Sequence, residues 1–294
     1  MQVSGFSFVR NGIMLGYPVK EAISSILPIC DEFVIAIGKS DDDTLEQIKS
    51  INDSRIKIIE TVWDERHFVR GKVNSVQSNI ALNECKGDWC FYVQADEVIH
   101  EKYLPVVKER MKLFLENEDV QGLLFDYIHF WGSFDYFHKS RKWYRREVRV
   151  IRNNIGIESW RDAQSFRLSG KKLRVAHSDA SVYHYGWVRP PKVMKDKQIA
   201  LDSLYHHQEW MNAKYEGTAE SFDYGDPKYL ARFTDTHPKI MEEWIALYNW
   251  DFNSGKKAGH AHEKLFNRVI TFLEDRILHH RIGEYKNYIL LNDK

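Results

Sequence analysis

Strand and helix signals alternate through the first hundred residues, joined by short polar connections, and this alternation restricts the fold more than any other feature of the chain. Residues 6–9 form a short apolar run that closes on Arg10-Asn11-Gly12, a turn signal. Pro18 suits a first helical position, and Val19, Ala22, Ile23 and Ile26 follow at helical spacing until Pro28. Residues 33–37 (FVIAI) read as a buried strand, 38–43 as a polar loop in which Asp41 or Asp42 caps a helix carrying Leu45 and Ile48, and 56–59 as a third strand. Residues 73–83 read as a helix with Val76, Ile80 and Ala81 inward, and 89–93 as a fourth strand. The order predicts an α/β fold: a mostly parallel, Rossmann-like sheet flanked by crossover helices. Ligands of such sheets bind beyond the carboxyl ends of the strands. Residues 10–12, 38–43 and 94–97 are therefore the segments from which a site is expected.

The pattern changes after residue 120. Residues 122–127 and 148–152 read as strands separated by an aromatic loop holding Phe130, Trp131, Phe134, Tyr136 and Phe137. Residues 182–185 form another extended piece, and helices dominate from Lys192 onward. Leu201, Leu204 and Tyr205 make one apolar stripe, and Leu265, Val269, Phe272, Leu273 and Ile277 make a second; both are expected to pack into the core. The expected organisation is a catalytic domain over 1–190 with a mainly helical extension over 191–294 packed on it.

Several classes are disfavoured. Lys and Arg total 42, as do Asp and Glu, so no overall basic charge points to nucleic acid. The one basic run, with Arg141, Lys142, Arg145, Arg146 and Arg149 interleaved with Trp143 and Tyr144, reads as a solvated strand and loop or as a phosphate or headgroup patch. Three cysteines, Cys30, Cys85 and Cys90, with no C-x-x-C pair, fit a reducing compartment. Residues 1–20 lack an apolar signal core, and no run of about 18 apolar residues occurs. A cytoplasmic protein is expected, with possible peripheral association at the inner face of a membrane. His206-His207, His260-Ala-His262 and His279-His280 lack zinc-protease spacing and read as solvated helix surface.

Gln94-Ala95-Asp96-Glu97 directly follows an apolar strand, so a carboxylate there faces the ligand crevice. A hard cation such as Mn²⁺ or Mg²⁺ takes oxygen ligands and bridges phosphates, offsetting charge on a departing diphosphate. The competing reading is an acid in the first turn of a helix beginning near Val98.

Four segments in order add a resemblance. Gly87-Asp88-Trp89, the strand, and then Gln94-Ala95-Asp96-Glu97 resemble the G-D-W-x-x-x-x-D-A-D-E segment of family 2 glycosyltransferases. Residues 71–82 (GKVNSVQSNIAL) resemble the helix that precedes it, residues 37–44 (IGKSDDDT) resemble the loop after the second strand, and His184-Tyr185-Gly186 is similar to the family's H-x-G element. The resemblance implies a GT-A fold of the bacterial cell-surface glycan type. It also implies a nucleotide-diphosphate sugar donor, a glycan or lipid-linked sugar acceptor, and a divalent metal. On it, Asp96 and His184 would hold the metal. Val9, Asn11, Gly38, Ser40, Asp42, Lys72, Gln77, Asn79, Gln94 and Ala95 would meet the nucleotide. Inverting transfer needs a general base, and Asp162 and Glu158 are the candidates, with Glu97 a third that is more simply a capping or supporting acid. The segment 130–137 would wall the acceptor, with Asp135 or His138 as hydrogen-bonding groups. Two departures stand out: Gln94 occupies the place of the first acid of the motif, and Ile37-Gly38 replace the acidic pair that commonly meets the base. Two other functions stay open. A sugar-phosphate nucleotidyltransferase would need a richer glycine loop than 10–16 provides, and a non-catalytic nucleotide- or glycan-binding module would account for Gln94.

Overall fold

The computed structural model describes residues 1–252 and 258–291. The first half follows the expected alternation. It runs β1 (Val3–Val9), α1 (Val19–Ile26), β2 (Glu32–Gly38), α2 (Thr44–Lys49), β3 (Ile56–Thr61), α3 (Lys72–Leu82) and β4 (Trp89–Tyr92). β5 (Glu97–Ile99), α4 (Leu104–Leu113), β6 (Gly122–Trp131), β7 (Ser133–Phe137) and β8 (Arg146–Arg152) follow. The chain continues through β9 (Ile157–Trp160), β10 (Ser165–Leu168) and the long β11 (Lys171–Trp187). The remainder holds α5 (Pro191–Ser203), α6 (Gln208–Tyr215), β12 (Ala231–Arg232), α7 (Glu242–Tyr248), α8 (Leu265–Leu273) and β13 (Tyr288–Leu290).

The strands lie in the order β3-β2-β1-β4-β8-β6-β11-β10-β9. β3, β2, β1 and β4 are parallel, β8 runs antiparallel between β4 and β6, and β6 and β11 are again parallel. The fold is thus α/β with a parallel-rich sheet. β2 shows why the runs are continuously apolar. Phe33, Ile35 and Ile37 face one core, with α1 and α4, while Val34 and Ala36 face the other, with α3 and Phe166. A strand covered on both faces has no polar side to alternate with.

Five expectations are corrected. Residues 97–99 are a strand, not a helix start, because β5 pairs antiparallel with β11. The aromatic segment around 130–137 is a β6–β7 hairpin rather than a loop. The basic run is not wholly solvated: Arg149 is fully buried. His262 is also buried, packed on His138 and Trp131, rather than lying on a solvated helix. The stripe on α8 faces outward instead of into the core: Leu265 is 70% exposed and Phe272 61%. Two short strands of the C-terminal part join the sheet system, β12 on β7 and β13 on β11. No helix among the described residues is long and apolar enough to cross a membrane.

Candidate active site

A cavity of about 510 Å³ opens at the carboxyl ends of β1 and β4, where a parallel sheet leaves room for a ligand. Its floor is Val9, Arg10 and Asn11 after β1 and Gln94, Ala95 and Asp96 after β4. Trp63 and Phe68, beyond β3, form one side, and Trp143, Tyr144 and Trp187 another. Helix α5 and the turn after it roof the cavity through Lys197, Ala200, Leu201, Leu204 and Tyr205. The stripe Leu201, Leu204 and Tyr205 therefore faces a ligand space, and the tie of Gly71 N–H to the Leu204 carbonyl at 3.2 Å fastens the roof to the start of α3.

Asp96 sits at the centre and is 8% exposed. Lys197 Nζ donates to Asp96 Oδ2 at 2.9 Å and to the Gly186 carbonyl at 2.7 Å. His184 Nε2 stands 3.8 Å from Asp96 Oδ1. Gly186 permits this approach, since a Cβ there would lie 2.5 Å from the His184 ring and 3.0 Å from Asp96 Oδ2. Burial raises the Asp96 pKa, but Lys197, His184 and Arg189 outweigh it and hold the carboxyl well below the usual range. Burial, then Arg189, pushes Lys197 down to about 7, with Asp96 opposing.

The His184 tautomer follows from its neighbours. His129 Nε2 lies 2.8 Å from the Tyr144 carbonyl, which can only accept, so Nε2 carries the proton. Burial, then His184, pushes the His129 pKa well down, so its Nδ1 is an acceptor. His184 Nδ1, 3.0 Å away, must then donate to it. Burial pushes the His184 pKa down, with Asp96 and then Glu97 opposing.

Asp162 lines the cavity and accepts from Tyr205 Oη at 2.9 Å. Glu158 lies on β9, exposed and away from the lining. Glu97 is fully buried and clamps Arg149 through two contacts of 2.8 Å while accepting from Tyr127 Oη at 2.7 Å. It supports the strand behind Asp96 and does not face a ligand.

Of the residues expected at the nucleotide, Val9, Asn11, Gln94 and Ala95 line the cavity. The Gln94 amide N–H₂ donates to the Ala163 carbonyl at 3.2 Å. Gly38, Ser40 and Asp42 do not line the cavity. The Trp63 indole lies on Gly38, where a Cβ would come within 2.3 Å of its nitrogen. Ser40 Oγ accepts from the Asn11 N–H at 3.0 Å, and Asp42 accepts from the N–H groups of Met14 and Thr44. Lys72 is exposed, Gln77 accepts from Thr61 Oγ1 at 2.6 Å, and Asn79 accepts from the Ser159 N–H at 2.7 Å. On α3 it is Asn74 that reaches the cavity. None of the residues 130–138 expected at the acceptor lines the cavity. Phe130 and Phe134 are buried in one core cluster, His138 is buried against Trp131 and His262, and the aromatic wall of the cavity is Trp143, Tyr144 and Trp187.

The residues present do not make a divalent-cation site. Asp96 and His184 are two donors of one negative charge, Asp96 Oδ2 is already held by an ammonium, and no group of three or more His, Cys, Asp or Glu able to hold a metal occurs among the described residues. Mn²⁺ or Mg²⁺ ordinarily takes six oxygen-rich ligands, several of them water or substrate. A cation here would have to lie against Lys197.

No family model and no curated protein matches the chain. Solved structures share a remote likeness. S. aureus TarS 1–349 aligns with a TM-score of 0.39 at 15% identity, covering 72% of this chain and 68% of that one. The same protein in complex with UDP-GlcNAc aligns with a TM-score of 0.32 at 20% identity, covering 44% and 35%. Glucosyl-3-phosphoglycerate synthase from Mycobacterium tuberculosis, in complex with Mn²⁺, UDP and phosphoglyceric acid, aligns with a TM-score of 0.30 at 16% identity, covering 44% and 43%. The chain thus spans about a third of the length of the first TarS structures it matches.

Proposed function

We propose that the protein is a glycosyltransferase of the GT-A type that binds a nucleotide-diphosphate sugar in this cavity and passes the sugar, with inversion, to an acceptor hydroxyl. The observation that carries the reading is the convergence of Asn11, Gln94-Ala95-Asp96, His184 and Asp162 on one aromatic-walled space at the strand ends. Trp63 and Phe68 suit a nucleoside, the charged floor suits a diphosphate, and Trp143, Tyr144 and Trp187 suit an apolar sugar face. In the transfer, the Asp162 carboxylate takes the acceptor proton as the acceptor oxygen attacks the anomeric carbon. The carbon–oxygen bond to the diphosphate breaks on the opposite face, releasing the nucleoside diphosphate.

Thermal unfolding against a panel of nucleoside diphosphates tests the donor site. A ligand at about a hundredfold excess over Kd stabilises the native state by about 2.7 kcal/mol. A shift confined to one base, followed by transfer or hydrolysis of its sugar conjugates, is expected. Absence of any shift sinks the reading. Binding without turnover across a broad donor and acceptor panel leaves a binding module instead.

A lipid-linked acceptor is the finer reading, and the outward stripe of α8 supports it. Leu265, Phe266, Val269, Phe272 and Ile277 are all exposed. From 264 to 290 the exposed formal charges are Lys264, Arg268, Arg276 and Lys286 against Asp275 alone. Apolar groups rimmed by cations suit an anionic bilayer surface. α8 also docks beside the cavity wall: Thr271 Oγ1 accepts from the Arg141 N–H at 3.1 Å, and the nearby Arg281 donates to the Trp143 carbonyl. Co-sedimentation with phosphatidylglycerol vesicles is expected, and the double substitution Phe266→Ser with Phe272→Ser should weaken it by about tenfold or more. Unchanged sedimentation of that variant would remove the stripe from the proposal.

A further inference from the structure

We infer that Lys197 takes the place of a divalent cation in this site, so that the donor's diphosphate is held by an ammonium group and binds without metal. The inference rests on the donor-binding reading above and concerns which charge does the holding.

Three observations meet at Lys197. The first is hydrogen-bonding capacity. An ammonium has three N–H donors, and Asp96 Oδ2 and the Gly186 carbonyl engage two of them. Lys197 also lines the cavity, so the third is available to a ligand there. The second is the local charge. Arg189 is fully buried next to the pair, donating from Nε to the Leu15 carbonyl at 2.7 Å and from Nη1 to the same Gly186 carbonyl, while its Nη2 is buried without a partner. Both cations lie over the Tyr17 ring, Lys197 at 4.6 Å and Arg189 at 5.0 Å from its centroid. Glu97 is neutralised by Arg149, so Asp96 alone faces Lys197 and Arg189, and the floor keeps a surplus positive charge. A diphosphate complements that surplus. A dication would add to it in a desolvated pocket, where unpaired charge is costly.

The third observation is where Lys197 comes from. It stands on α5, one turn after the buried Met194 and one turn before Leu201 of the cavity roof. The helix that closes the cavity therefore delivers the cation itself. Gln94 agrees with this arrangement. An amide brings no charge, and beside an ammonium the second carboxylate of a metal motif is not required to balance a dication.

Calorimetric titration of the full-length protein with the nucleoside diphosphates, in EDTA and in Mn²⁺, tests the inference. The expected result is binding of one nucleotide in EDTA with a Kd within about threefold of that in Mn²⁺. Electron paramagnetic resonance of Mn²⁺ titrated with the unliganded wild-type protein should show the free-ion signal undiminished. Lys197→Met should weaken binding in EDTA by about thirtyfold, and Lys197→Arg should restore it to within about tenfold of wild type. Native near-ultraviolet circular dichroism qualifies each variant. If a variant fails to fold, the two wild-type measurements decide alone. Nucleotide binding seen only with Mn²⁺, or Lys197→Met binding as wild type does in EDTA, overturns the inference and leaves the donor site standing. No nucleotide binding in either buffer overturns the donor site and the inference together.

Discussion

Arg149→Met should cost about 3–5 kcal/mol of stability, the range for removing one partner of a buried ion pair. At this chain length that corresponds to a fall in Tm on the order of 10 °C. Arg149 and Glu97 are both fully buried. The guanidinium engages both carboxylate oxygens at 2.8 Å and donates from Nη1 to the carbonyls of Val148 and Gln164 at 2.9 Å. It lies 5.2 Å from the ring centroids of Tyr92 and Tyr127. Met would fill much of the volume but leave the Glu97 carboxylate in the core with only the Tyr127 hydroxyl and the Gln94 N–H. Replacing both, Glu97→Leu with Arg149→Met, should cost less than the single change, because no charge is then left unpaired. Urea unfolding of the two variants checks this. A single-variant cost below about 1 kcal/mol would mean that water reaches the pair and that it is not the rigid backing of Asp96 described above.

Much of the sheet was legible because strands buried on both faces are uninterrupted apolar runs, as 33–37 and 89–93 are. The position of Asp96 was legible for a related reason: the residue after such a run must meet the crevice. What escaped was phase and distance. Helix α3 carries Ser and Asn on several sides, so its apolar rows do not mark which polar residue faces a ligand. Asn74 reaches the cavity, while Gln77 and Asn79 tie α3 to β3 and β9. The stripe on α8 has the same period whether it faces its own core or another surface, and only the tertiary structure shows it outward. Glu97 reads as a capping acid, and its partner Arg149 lies 52 residues away in a run of cations that looks solvated. Lys197 is the instructive case. Met194, Lys197 and Leu201 fall at i, i+3 and i+7, so a lysine occupies an apolar row. A Lys on the inward face of a helix is the one signal in the sequence that could have pointed to a buried ammonium, and the polar neighbours Lys192, Lys195 and Asp196 obscure it.

Asp162→Asn should lower kcat for sugar transfer by about 10²–10⁴-fold, the usual contribution of a positioned general base, while leaving the Kd for the nucleoside diphosphate within about threefold. The separation follows from location. Asp162 lies in the turn between β9 and β10 rather than on the β1 or β4 end, and is oriented by the Tyr205 hydroxyl of the roof. Asn keeps the shape and can still accept from Tyr205, but it cannot take the acceptor proton, so a loss in the chemical step with donor binding intact is the signature of a base. Tyr205→Phe provides a second measurement. It removes only the orienting hydrogen bond and should cost far less than Asp162→Asn, on the order of tenfold in kcat. Glu158→Gln, on the exposed face of β9, should leave kcat unchanged within about twofold. Should Asp162→Asn keep transfer within about tenfold of wild type, the base lies elsewhere. His184, whose Nε2 stands 3.8 Å from Asp96 Oδ1 in the same cavity, would then be the next residue to replace.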